Sequence, residues 1–132
     1  MVPVLNMLGT QSAVFGNHDF GENLICLIGA KYFHKKPSLL SDHGLEVLGE
    51  RMEASKFPWL LSNVIDTETN LPLGGAKVHH TIDWEGRKIG LVGLVEREWL
   101  DTVSCLDNDN IDYTDYVDAA AMLAEELKRK GE

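Results

Sequence analysis

Cysteine is scarce in this chain, and so are positive charge and long apolar runs. The two cysteines, Cys26 and Cys105, are too few for a disulfide framework and lack the close spacing of metal-binding pairs. They read as buried or idle thiols. Twelve Lys and Arg against 21 Asp and Glu leave a net charge of −9. A surface for a nucleic-acid polymer needs basic stripes to meet phosphates, so no such partner is expected. Chemistry on a small phosphate compound stays open, because a bound metal can supply local positive charge. No apolar run approaches the ~20 residues that cross a bilayer, so no membrane segment is expected. Met1-Val2-Pro3 leads straight into a short helical stretch and not into a signal peptide. The default expectation is a soluble, intracellular protein. Internal repeats and low-complexity tracts are absent too.

What is present is enough for one domain with a real core: 132 residues, 44% hydrophobic and 25% charged. Residues 4–8 followed by Gly9 read as the last turns of a helix with a glycine stop. The apolar run 12–15 reads as a buried strand. Leu45, Leu48 and Met52, with charged residues between them, fit an amphipathic helix over 45–56. Residues 59–64 read as one buried strand, 66–70 as a turn, and 77–84 as an alternating antiparallel strand. Glu85-Gly86 is a hairpin turn signal. The continuous apolar run 89–95 predicts a strand covered on both faces. Thr114 or Asp115 can cap a last helix, 116–130, whose apolar face would include Val117, Ala120, Ala121, Leu123, Ala124 and Leu127. Helices and strands interleave, which makes the class α/β with mixed sheets.

The turn after the first strand carries the chemistry. Gly16-Asn17-His18-Asp19-Phe20 delivers an amide, an imidazole and a carboxylate in succession. Asn17 offers a neutral carbonyl oxygen, which borderline divalent metals accept in mixed N/O sites. His18 can donate a proton or a hydrogen bond to an oxyanion, and Asp19 can fix the tautomer of a neighbouring imidazole.

These residues resemble the third signature block, G-N-H-[D/E], of the calcineurin-like metallophosphoesterases. Two further segments resemble the 5′-nucleotidase-like branch of that superfamily: Phe57-Pro58-Trp59-Leu60-Leu61-Ser62-Asn63-Val64, and Ile89 to Glu96 with Trp99-Leu100. Together the three cover most of residues 9–130. The resemblance implies a four-layer α/β/β/α fold, of which this chain holds a part. It also implies hydrolysis of small phosphate esters, nucleotides above all, at two divalent metal ions, with Mn, Zn, Fe and Mg all left open. Asn17 would ligate one metal, and His18 would contact the phosphoryl oxygen and stabilise charge in the transition state. Asp19 occupies the acidic position of the motif and would orient its neighbours.

The departures matter as much. The D-x-H and G-D-x-x-D blocks that precede Asn17 in the family do not occur, and the later His block and G-H-x-H block do not follow residue 130. One amide cannot hold a metal pair, so residues 1–132 are expected to be the central fragment of a single metallophosphoesterase domain, with an incomplete site. Neighbours His79 and His80 alternate faces in a strand and do not replace the lost ligands; His34 and His43 are weaker still.

One interruption breaks the resemblance. The branch continues G-N-H-D-F-D-x-G, whereas here residues 21–41 intervene before Asp42-His43-Gly44. Their removal joins Phe20 to Asp42 and restores the motif, with Asp42 as the family's carboxylate partner of the catalytic histidine His18. The segment is expected to be either a retained intron or a genuine surface loop; codons GGTGAG and TTATCAGAC permit an in-frame excision. Two other outcomes stand beside the hydrolase: a catalytically inactive fragment, and a non-enzymatic α/β binding module.

Overall fold

The structure, a computed structural model, describes residues 1–16, 49–103 and 108–131. A short helix, Val2–Met7, carries proline in its first turn, where the missing N–H costs nothing. It leads to β1, Ala13–Val14, shorter than the apolar run suggests. A helical stretch through residues 49–54 follows, then β2, Trp59–Leu60, and β3, Val64–Asp66. Next come β4, Leu71–Pro72, a 3-10 turn, Leu73–Gly75, and the hairpin of β5, His79–Trp84, with β6, Arg87–Val92. The helix Arg97–Thr102, a 3-10 turn at Asn108–Asn110, β7, Ile111–Tyr113, and the long helix Tyr116–Lys130 complete the order. Among the described residues three small sheets result: β1 parallel to β2, β4-β3-β7 antiparallel, and β5-β6 antiparallel. The fold is α/β.

The expected strand 59–64 is two strands with a bend between them. Ser62 and Asn63 turn their side chains onto main-chain groups far away in sequence, and that ends the ladder. Ser62 Oγ donates to Val78 O and accepts from Gly93 N at 2.9 Å. Asn63 is 2% exposed; its amide nitrogen donates to Val95 O (2.8 Å) and Thr114 O (2.9 Å), and its oxygen accepts from Val95 N (3.0 Å).

Local turn chemistry agrees with the sequence. Asp66 Oδ1 accepts from Glu68 N at 2.8 Å, forming the turn after β3. Glu85 (φ 53°) and Gly86 (φ 77°) both lie in the left-handed region, as the two-residue hairpin loop that suits strand twist requires. Asp115 is the cap of the long helix: its carboxylate accepts from Val117 N at 2.9 Å. Lys128, Arg129 and Lys130 occupy the last turn, complementing the helix dipole.

Two burial expectations are corrected. The run 89–95 is not covered on both faces: β6 ends at Val92, and Ile89 is 40% exposed. On the long helix the buried residues are Ala119, Leu123 and Leu127, spaced by four, while Val117 is 59% exposed. The helix thus seats a narrower stripe than its composition suggests. The main core gathers Phe15, Trp59, Leu61, Val64, Leu73 and Val95, with Phe57 and Val103.

Candidate active site

Phe15 fixes the place where the candidate turn begins. Its ring is 3% exposed and stacks on Trp59, with centroids 5.2 Å apart and planes inclined by 22°. Trp59 leans on Phe57 at 5.7 Å and donates from Nε1 to Ser55 Oγ at 2.9 Å. Beside them β1 runs parallel to β2, with Ala13 opposite Trp59 and Val14 opposite Leu60. Ala13 N donates to Pro58 O at 3.1 Å, and Ser12 Oγ to the same carbonyl at 3.2 Å. The chain therefore leaves the parallel pair after Val14, at the carboxyl end of the strands, and passes through buried Phe15 to exposed Gly16. In open α/β sheets that end is where ligands bind.

Asn17, His18, Asp19 and Asp42 lie outside the described residues, as do residues 21–41, Cys26, Cys105, His34 and His43. The described histidines, His79 and His80, lie at the start of β5. His79 pairs across the hairpin with Val92, and His80 with Leu91, so the two face opposite ways. His79 Nε2 sits 3.5 Å from Lys130 Nζ, and Lys130 in turn reaches Glu126 at 2.6 Å. Among the described residues, no three His, Cys, Asp or Glu side chains come together to hold a metal ion. Also among them, no helix is long and apolar enough to cross a membrane.

Among the described residues, two groups have displaced acidities. The hydrogen bond from Lys130, and then its charge, hold the Glu126 carboxyl below the usual carboxylate range. Burial, followed by the charge of Asp115, pushes the Tyr113 phenol up; the Arg97 guanidinium, 5.9 Å above the ring centroid, opposes this weakly. A cleft of about 270 Å³ lined by Arg97, Leu100, Asp101, Ile111 and Tyr113 opens beside it.

Ser62 and Asn63 were the residues hardest to value from sequence alone. The signal was there: two adjacent polar residues inside the apolar run 59–64 must find partners once buried. Together they tie the end of β2 to the segments after β6 and β7.

No family model matches the chain. A 5′-nucleotidase of Vibrio cholerae is 26% identical over 126 residues, which make up 96% of this chain and 19% of that protein. The solved structure of the NAD nucleotidase (NadN) of Haemophilus influenzae superposes with a TM-score of 0.64 at 23% identity, covering 99% of this chain and 22% of that one. The fold is shared with that region, and the chain spans about a fifth of the length of each.

Proposed function

We propose that this chain is the central part of a calcineurin-like metallophosphoesterase domain, of partial four-layer α/β/β/α architecture, that hydrolyses nucleotide phosphomonoesters. The carrying observation is the parallel β1–β2 pair, whose first strand ends at Val14, two described residues before Asn17-His18-Asp19 in the chain. The order of the three family-like segments supports the same reading. So do the names of the two similar proteins, a 5′-nucleotidase and an NAD nucleotidase.

In this reading Asn17 is a metal ligand and His18 the catalytic group that donates to the phosphoryl oxygen as negative charge grows there. Asp42 is the carboxylate that partners His18, and Asp19 orients the turn by hydrogen bonding. When bound, a pair of divalent metals would polarise the phosphate and lower the pKa of the attacking water. The described residues do not form a cage for such a pair. The missing donors belong to stretches of the domain outside residues 1–132, and residues 21–41 are an insertion or a retained intron.

The test has two arms. Genomic sequence on either side is searched for D-x-H upstream and G-H-x-H downstream. The protein so extended is assayed on p-nitrophenyl phosphate and a nucleoside 5′-monophosphate with Mn²⁺ or Zn²⁺. Metal-stimulated turnover that falls ~10²-fold or more in His18→Ala is the expected result. Absence of both flanking blocks, or turnover indifferent to His18, would refute it.

A further inference from the structure

We propose that the cleft beside Tyr113 is a binding site for a nucleobase, guanine foremost, read by Arg97 and Asp101. Its walls are Leu100, Ile111 and the Tyr113 ring, all partly buried, and its volume is about 270 Å³. Drug-sized ligands fill ~300–1,000 Å³, so this cleft suits a smaller group such as one planar ring system. The choice of a base over other rings rests on the nucleotide reading above; the cleft and its charges do not.

Two opposite charges line the cleft and stay apart. Arg97 and Asp101 stand one turn apart on the same helix, where a guanidinium and a carboxylate ordinarily attract each other. Here Arg97 instead lies over the Tyr113 ring, 5.9 Å from its centroid. No ion pair among the described residues takes up either charge, and no hydrogen bond there occupies the guanidinium N–H groups. A donor fork and an acceptor therefore line one space, between apolar walls and an aromatic ring. A small anion would meet Asp101 unfavourably, and a small cation Arg97. A neutral planar ring that carries an acceptor and N–H donors on one edge satisfies both. Guanine does: its O6 takes the guanidinium donors, and its N1–H and 2-amino group give to the carboxylate. Leu100, Ile111 and Tyr113 then flank the ring faces.

The cleft is anchored at the end of the fold where the candidate turn begins. β1 and β2 run parallel, and past the end of β2 Asn63 holds both main-chain groups of Val95. The Tyr113 hydroxyl donates to the same Val95 carbonyl at 3.4 Å, and Tyr113 pairs with Val64, the residue after Asn63. Arg97 follows Val95 closely in the chain. These residues lie beyond the carboxyl end of β2, the end toward which β1 delivers Phe15 and Gly16.

The test titrates residues 1–132 with guanosine by calorimetry, with inosine and ribose 5-phosphate alongside. Guanosine is expected to bind saturably in the millimolar range or below, and inosine, which lacks the 2-amino group, about tenfold more weakly. Arg97→Gln and Asp101→Asn, both at exposed positions, should each weaken guanosine by about tenfold with the urea midpoint unchanged. In Asp101→Asn the difference between guanosine and inosine should also shrink, which a merely structural effect would not produce. Absence of saturable guanosine binding overturns the proposal, as does binding indifferent to both substitutions. Ribose 5-phosphate binding as tightly as guanosine assigns the cleft to an anion and overturns it as well. Guanosine carries no phosphoester and no turnover is read, so failure of the base site and failure of the hydrolase reading are told apart.

Discussion

Asn63 holds both main-chain groups of Val95: its side-chain oxygen takes the N–H at 3.0 Å and its nitrogen gives to the carbonyl at 2.8 Å. A second amide proton reaches Thr114 O at 2.9 Å. One buried side chain thus joins the bend after β2 to the segments that follow β6 and β7. Leaving a buried donor or acceptor unmade costs roughly 1–3 kcal/mol each. Asn63→Ala is therefore expected to lower stability by about 3 kcal/mol in urea unfolding. Asn63→Asp should be at least as damaging, because a carboxylate cannot donate to Val95 O and Thr114 O. A loss below about 0.5 kcal/mol would show that water replaces the amide.

The hairpin turn carries removable strain. Glu85 adopts φ 53° with a full side chain, and only Gly86 after it suits that region freely. Asparagine tolerates the left-handed region better, and Asn-Gly is the preferred pair for this loop. Glu85→Asn should stabilise the chain by about 0.5–1 kcal/mol, seen as a raised melting temperature. Asp83 Oδ1, which accepts from Gly86 N at 3.1 Å, is unaffected by the change.

Acid should weaken the end of the long helix slightly. The Glu126 carboxyl is held below its ordinary value by Lys130, so its folded pKa lies under the unfolded one. Its contribution is complete above the unfolded carboxylate range and disappears as the pH falls through the lowered folded value. Both partners are nearly half exposed, so solvent and salt screen the pair. Glu126→Gln should leave the melting temperature at neutral pH almost unchanged. It should also flatten a small part of the decline on the acid side. High salt should do the same, and a salt-independent decline would point to other groups.

The features legible in the sequence are those decided within a few residues. The cap at Asp115, the lysine-rich helix end, the turn at Asp66 and the loop at Glu85-Gly86 all depend on near neighbours. The bend at Ser62-Asn63 depends on Val78, Gly93, Val95 and Thr114, partners that only the fold brings near. Helix burial was misjudged for a related reason. The expected face named Val117, Ala120, Ala121, Leu123, Ala124 and Leu127, but the buried line runs through Ala119, Leu123 and Leu127, so Ala119 was missed and four named positions are not buried. As for the site, the strand that introduces it and the stacked Phe15 are described, whereas Asn17, His18, Asp19 and Asp42 are outside the described residues.

Residues 21–41 offer the most direct handle on that site, because described contacts join the framework on both sides of them. Asn6 Nδ2 donates to Ala54 O at 2.8 Å, and Asn6 Oδ1 accepts from Lys56 N at 2.8 Å. Phe15 is held by Trp59, and Trp59 by Ser55 at the end of the helical stretch. The two points between which residues 17–48 run are thus joined by contacts that these residues do not make. Deleting 21–41 shortens a connection whose ends stay fixed, and loop-closure entropy then favours the shorter chain by about 1 kcal/mol. The deletion variant is expected to match or exceed the parent in urea unfolding. It would also bring Asp42 directly after Phe20 in the chain, so in the flank-extended protein it should raise metal-dependent turnover. A destabilisation beyond about 2 kcal/mol would mean that the segment packs into the core as a built element. A transcript that keeps these codons throughout would exclude the intron while leaving the loop.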